Sequence, residues 1–228
     1  MATYILLPGA FAGGWYLKPL ATRLRRAGND VYTFTYTGLG ERSHLLTRDI
    51  DLDIHILDVL QMLRYEDLHD VILVGKSYSG MVITGVADQM PDRLRHLVYL
   101  DAAVPVDGQS LLDLMDPATA AAMTEFANTY GDGWLLPADT TVDARLTNHP
   151  WKTGVHPVRL TGNPAAAQIP RTYIYCIGKE PNHIAAAFTA TGSMLAKASN
   201  WGYHEIASGH EPEVEKPDEL AAILLALA

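Results

Sequence analysis

The chain has 228 residues, 48% of them hydrophobic and 19% charged, with a net charge of −9 and a single cysteine. Such a chain buries a sizeable core without staples. Its acidic balance argues against nucleic acid as a partner, because phosphate binding needs a basic face. The lone Cys176 excludes an internal disulfide framework and fits a reducing cytoplasm. No segment reaches about 18 uninterrupted apolar residues, so no membrane span is expected.

The opening "MATYILLPGAFAGGWY" lacks a basic leader region and is interrupted by Pro8, Gly9, Gly13 and Gly14, so it reads as a strand followed by a loop. In chain order the buried-strand candidates are Tyr4–Leu7, Val31–Tyr36, Val71–Val74, His96–Leu100, Thr172–Ile177 and Tyr203–Ala207. Each is apolar nearly throughout, as strands covered on both faces are. Helical patterns lie between most of them: Leu17–Ala27, stopped by Gly28, then Leu52–Leu63, Tyr78–Gln89, Asn182–Ala198 and Pro217–Leu227. Alternating strands and helices imply a mostly parallel sheet of six strands with helices on both faces.

The interval between Leu100 and Thr172, about 70 residues with no convincing strand, is too long for a structureless loop. Ser110–Tyr130 reads as helical, and the rest is rich in Pro, Gly and Thr. The chain is therefore expected to be one domain, 1–228, with a short helical lid inserted over approximately 106–168 at one end of the sheet.

Ligands of open parallel sheets bind beyond the carboxyl ends of the strands, where strand order reverses. If the third strand pairs with the first, "PGAFAGG" and "GKSYSG" meet there. The second loop closes the run "VILVGKSYSG". A serine hydroxyl attacks carbonyls only when a base takes its proton. A sharp strand-to-helix turn, Gly-x-Ser-x-Gly, exposes it and tolerates only small residues at its outer positions. Here those positions are Gly75 and Ser79, with Gly80 next, around Ser77. Of nine histidines, His210 follows the last strand and precedes the last helix, at the same sheet end as Ser77. Backbone N–H groups of Tyr78 and Ala10 are the candidate oxyanion donors.

These segments, with "TYTGLGERSHLL" and "SGHEPEVEKPDELAAILL", resemble the α/β-hydrolases, and more narrowly the bacterial branch similar to plant methylesterases and hydroxynitrile lyases. The resemblance implies the α/β-hydrolase fold, a Ser-His-acid triad, no metal or organic cofactor, and small lipophilic esters or related carbonyl compounds as substrates. It also implies an oxyanion donor at Ala10. The chain departs from the family in having Pro8 before Gly9, Lys76 and Ser79 around the serine, and Lys179 where plant members carry the acid, with Glu180 beside it.

The second place for an acid is the end of "LVYLD", so Asp101 is preferred to Glu180. Lys76 reads either as the partner of a carboxylate such as Glu211 or as a cation near developing negative charge or an acidic substrate. Glu211 stands where lyase members carry a lysine, which weakens a cyanide-lyase reading. Phe11, Lys76, Met81 and Trp134 are expected to contact substrate, with Met115 and Phe126 as further lid candidates. The expected chemistry is ester hydrolysis by Ser77, His210 and Asp101. Acid–base lyase, cyclase or decarboxylase chemistry at the same site is the alternative, and a non-catalytic binding protein is a second. The expected partner is a small-molecule substrate, with no nucleic acid and no membrane; a homodimer is left open.

Overall fold

Apolar residues on consecutive strand positions need cover on both faces, and the six apolar runs find it by pairing side by side under two layers of helices. The computed structural model describes residues 1–179 and 183–228. Its elements, in order, are β1 (Thr3–Leu7), α1 (Lys18–Arg26), β2 (Asp30–Thr33), α2 (Leu52–Tyr65), β3 (Val71–Lys76), α3 (Ser79–Gln89), β4 (Leu94–Leu100), α4 (Pro117–Tyr130), β5 (Leu135–Leu136), β6 (His149–Pro150), α5 (Lys152–Val155), α6 (Pro164–Gln168), β7 (Arg171–Cys176), α7 (His183–Leu195), β8 (Gly202–Ile206), α8 (Pro212–Glu215) and α9 (Pro217–Leu225). Six strands form one parallel sheet in the order β2-β1-β3-β4-β7-β8. The fold is that of an α/β-hydrolase, with a helical lid region between β4 and β7.

Alternation along the strands feeds the two faces. Leu6, Ile72 and Val98 meet Leu20 of α1 and Leu220 of α9 on one side. Ile5, Leu73 and Leu97 meet Ile56 of α2 and Val82 of α3 on the other. Each such side chain, fully buried, contributes about 1.5–3 kcal/mol. The register then sets the working end. Leu7 faces Gly75, Lys76 faces Leu100, Leu100 faces Ile174, and Cys176 faces Ile206. The residues that follow these strands, from Pro8, Ser77, Asp101, Ile177 and Ala207 onward, therefore emerge along one rim.

Two expectations are corrected. The helix expected over Ser110–Tyr130 begins only at Pro117, because a proline restricts the residue before it to extended backbone and suits the first helical position. Asp116 caps it, its carboxylate accepting from the Ala118 and Thr119 amides at 3.0 and 3.1 Å. The lid also contains a strand pair: β5 and β6 form an antiparallel ribbon in which Leu136 faces His149. Two residues per strand are too few to leave an alternating pattern in the sequence. Among the described residues no helix is long and apolar enough to cross a membrane.

Candidate active site

The turn after β3 is held by close backbone packing. Ser77 has φ 56°, a left-handed conformation that a non-glycine residue keeps only under constraint. The constraint is visible: its N–H donates to Leu100 O at 3.1 Å, and its carbonyl accepts from Ala103 N–H at 3.0 Å. A β-carbon at Gly75 would lie 2.8 Å from Ser79 O, and one at Gly80 would lie 1.9 Å from Ala103 O. The second small-residue position is thus Gly80, which leaves Ser79 room for a side chain. Its hydroxyl donates to Pro8 O and stands 2.6 Å from the Tyr36 hydroxyl. Since the Ser79 proton goes to the Pro8 carbonyl, Tyr36 is the donor to Ser79. The irregular serine ties this turn to the loop after β1.

Asp101, immediately after β4, has φ 44° and is fully buried. A buried carboxylate needs partners, and this one has them on both oxygens. Oδ2 lies 2.7 Å from His210 Nδ1, and Oδ1 accepts from Lys179 Nζ at 2.6 Å and from the Cys176 N–H at 3.4 Å. Lys179, at the place where relatives in the resemblance carry the acid, is here the partner of a carboxylate on the neighbouring strand. Glu180 lies outside the described residues. Burial, reinforced by Asp101, pushes the Cys176 thiol up and leaves it a poor nucleophile. The His210 ring stacks on Phe188, with centroids 5.2 Å apart and planes at 13°.

Phe188 in turn borders a cavity of about 410 Å³ that Ser77, Tyr78, Ala10 and Phe11 also line. Its lid side includes Met115, Phe126 and Trp151, and no charged side chain lines it among the described residues. The Ala10 and Tyr78 N–H groups donate to no other group among the described residues.

Three expected substrate contacts lie elsewhere. Met81 is fully buried in the core and does not line the cavity. Trp134 carries the Arg48 guanidinium 5.0 Å from its ring and does not line the cavity. The β5–β6 ribbon brings Trp151 there instead. Lys76 does not line the cavity; it pairs with Glu211 and lies 3.4 Å from Glu213. His149, Trp151 and Phe188 carry no motif that marks them in the sequence; only the lid's return path brings the first two to the cavity.

The Lys76 cluster has a consequence for stability. Burial draws the ammonium down, but Glu213 and Glu211 outweigh it and hold Lys76 above its ordinary value. Burial pushes Glu213 up to about 8, against the pull of Lys76 and helped by Glu211. A carboxyl raised on folding stabilises below its unfolded value and loses that contribution as pH rises through the folded one. Stability therefore falls as pH rises from about 4.5 toward 8, and Glu213→Gln should flatten that fall in thermal melts taken across the range. A variant whose melting temperature declines as steeply as the parent's would assign the fall to other groups.

Comparison with known proteins bears on the family and the fold. A family model described as alpha/beta hydrolase family matches residues 4–223. A carbendazim hydrolyzing esterase of Nocardioides sp. (strain SG-4G) is 36% identical, with 100% of both chains covered. Among solved structures, an extracellular α/β-hydrolase from a Paenibacillus species superposes with a TM-score of 0.86 at 22% identity, covering 100% of this chain and 99% of that one. A methylesterase from Arabidopsis superposes at 0.74 and 23% identity, covering 99% and 98%. At such identities the solved structures speak for the fold.

Proposed function

The chain belongs to the α/β hydrolase family, and on that premise we propose that it cleaves a small, lipophilic carboxylic ester through an acyl-enzyme on Ser77. Ser77 Oγ attacks the carbonyl while His210 Nε2 takes its proton. Asp101 Oδ2 holds the other ring nitrogen and stabilises the imidazolium. The Ala10 and Tyr78 N–H groups receive the oxyanion. As the tetrahedral adduct collapses, the leaving alcohol takes the proton from His210. Water, deprotonated by the same ring, then releases the acid and restores the serine.

The observation that carries this reading is the 2.7 Å contact between His210 Nδ1 and Asp101, at the rim where Ser77 enters an apolar cavity. The uncharged lining favours a neutral substrate, and carbendazim, cleaved by the Nocardioides relative, belongs in the first panel tested. A cytoplasmic location fits the one cysteine, free and buried.

The test is a fluorophosphonate probe with peptide mapping, together with pre-steady-state kinetics on an activated ester. Labelling confined to Ser77, with a burst equal to the enzyme concentration, is expected. Turnover without label or burst would instead mean that Ser77 and His210 act as acid and base in a lyase-type reaction. A ligand held unaltered for hours would mean binding without catalysis.

A further inference from the structure

Phe11 lines the cavity with φ 68°, in the left-handed region, although it is not glycine. A residue in that region persists only when its surroundings hold it. Both of its backbone groups are held by one stretch of the lid. Its N–H donates to His149 Nδ1 at 3.3 Å. Its carbonyl accepts from the Thr147 N–H at 3.0 Å and from the Thr147 hydroxyl at 3.3 Å. Thr147 Oγ1 is itself fixed by the Gly40 N–H at 3.0 Å.

The tautomer of His149 follows from its other neighbour. Thr153 Oγ1 gives its proton to the Pro150 carbonyl at 2.8 Å, so at 2.8 Å from His149 Nε2 it can only accept. His149 therefore carries its proton on Nε2 and offers the Nδ1 lone pair to Phe11. Burial, with His55 beside it, holds the imidazole well below its ordinary value and keeps it neutral. Its ring is packed edge-on against the phenol of Tyr78, centroids 5.0 Å apart, so it also packs on the side chain of the residue whose N–H is the other expected oxyanion donor.

We propose that Thr147 and His149 form a positioning clamp: by fixing both polar groups of Phe11 they hold the peptide units on either side of it, and through Ala10 they restrain the preceding Gly9–Ala10 peptide so that the Ala10 N–H is aimed at the reacting carbonyl. The lid and the oxyanion hole are then one unit, and the lid contributes to the rate as well as to substrate fit. This rests on the esterase reading above.

The experiment compares His149→Leu, His149→Asn and Thr147→Val with the parent. Leucine fills the space without an acceptor, whereas the asparagine Oδ1 can take the place of Nδ1. The readouts are kcat and KM on an activated ester, and affinity for a boronic acid that forms a tetrahedral adduct with Ser77. For His149→Leu, kcat should fall about 10–100-fold, part of what losing a whole oxyanion donor removes. Boronate affinity should fall in step while KM changes less than about threefold. His149→Asn should recover most of the loss, and Thr147→Val should lose less, in the same direction.

Unchanged kcat and boronate affinity in His149→Leu would overturn the clamp. So would a loss shared by KM that asparagine does not recover, which marks a merely structural role. If His149→Leu does not fold, as judged by thermal melts, Thr147→Val decides, and parental kcat and boronate affinity there overturn the clamp. Ser77→Ala separates the two readings. A serine-less chain that still turns over the ester sinks both, whereas an inactive one beside an unaffected His149→Leu sinks the clamp alone.

Discussion

Replacing Ser77 with alanine should lower kcat by about six orders of magnitude, the size of effect found when a triad serine is removed elsewhere. Among the described residues, neither the one thiol nor the other serine of the turn is placed to substitute. The Cys176 thiol is fully buried behind Asp101 and held protonated by that burial. The other serine of the turn, Ser79, is also fully buried and has its proton committed to the Pro8 carbonyl. What remains should be the roughly 10³–10⁴-fold advantage over water that oxyanion donors and binding supply alone. The substitution removes one oxygen from a backbone held by its own amide and carbonyl bonds, so the melting temperature should stay near that of the parent. A variant that keeps even a hundredth of parental turnover on every ester the parent cleaves would end the acyl-enzyme proposal.

Asp101→Asn should show two separable losses. The first is catalytic: an amide can hold the imidazole in the wrong tautomer and cannot balance its charge, and the corresponding change in other triads lowers kcat by about 10⁴. The second is structural. Lys179 Nζ sits 2.6 Å from the carboxylate, with 5% of its side chain exposed against 0% for Asp101. Removing one partner of so buried a pair strands the other charge, at about 3–5 kcal/mol. Adding Lys179→Met should therefore restore much of the stability while leaving kcat low. Denaturant melts and steady-state kinetics on the two variants measure these effects independently. Asp101→Asn within tenfold of the parent would hand the acid role to another carboxylate, of which Glu180 is the sequence candidate.

Much of the fold is legible in the sequence because each sheet strand is a short run that no helical period explains. The strand ends differ from expectation by a few residues, most at β2, where Phe34, Thr35 and Tyr36 leave the sheet. Thr35 turns its hydroxyl to the Gly14 N–H at 2.7 Å, and no hydropathy pattern records that bond. The turn around Ser77 is legible as a motif, but Ser79 looks like a defect until the close approach is seen to fall at Gly80. Lys76 and Glu211, far apart in the chain, pair as one of the two readings of Lys76 anticipates. The lid is where reading fails. Its ribbon is too short to alternate, and its return path exchanges Trp134 for Trp151 and delivers His149 to a loop more than a hundred positions earlier. Those contacts belong to the path of the chain, which local pattern does not encode.

The uncharged wall of the cavity bears on what happens after the bond breaks. The ester enters as a neutral molecule, but the acid left behind loses a proton near neutrality. No lysine or arginine among the described lining residues meets the new anion, and an anion without a partner is strongly disfavoured in apolar surroundings. The same surface that draws the reactant in therefore drives the ionised half of it back to water, so that turnover clears its own product and accumulated acid competes poorly for the site.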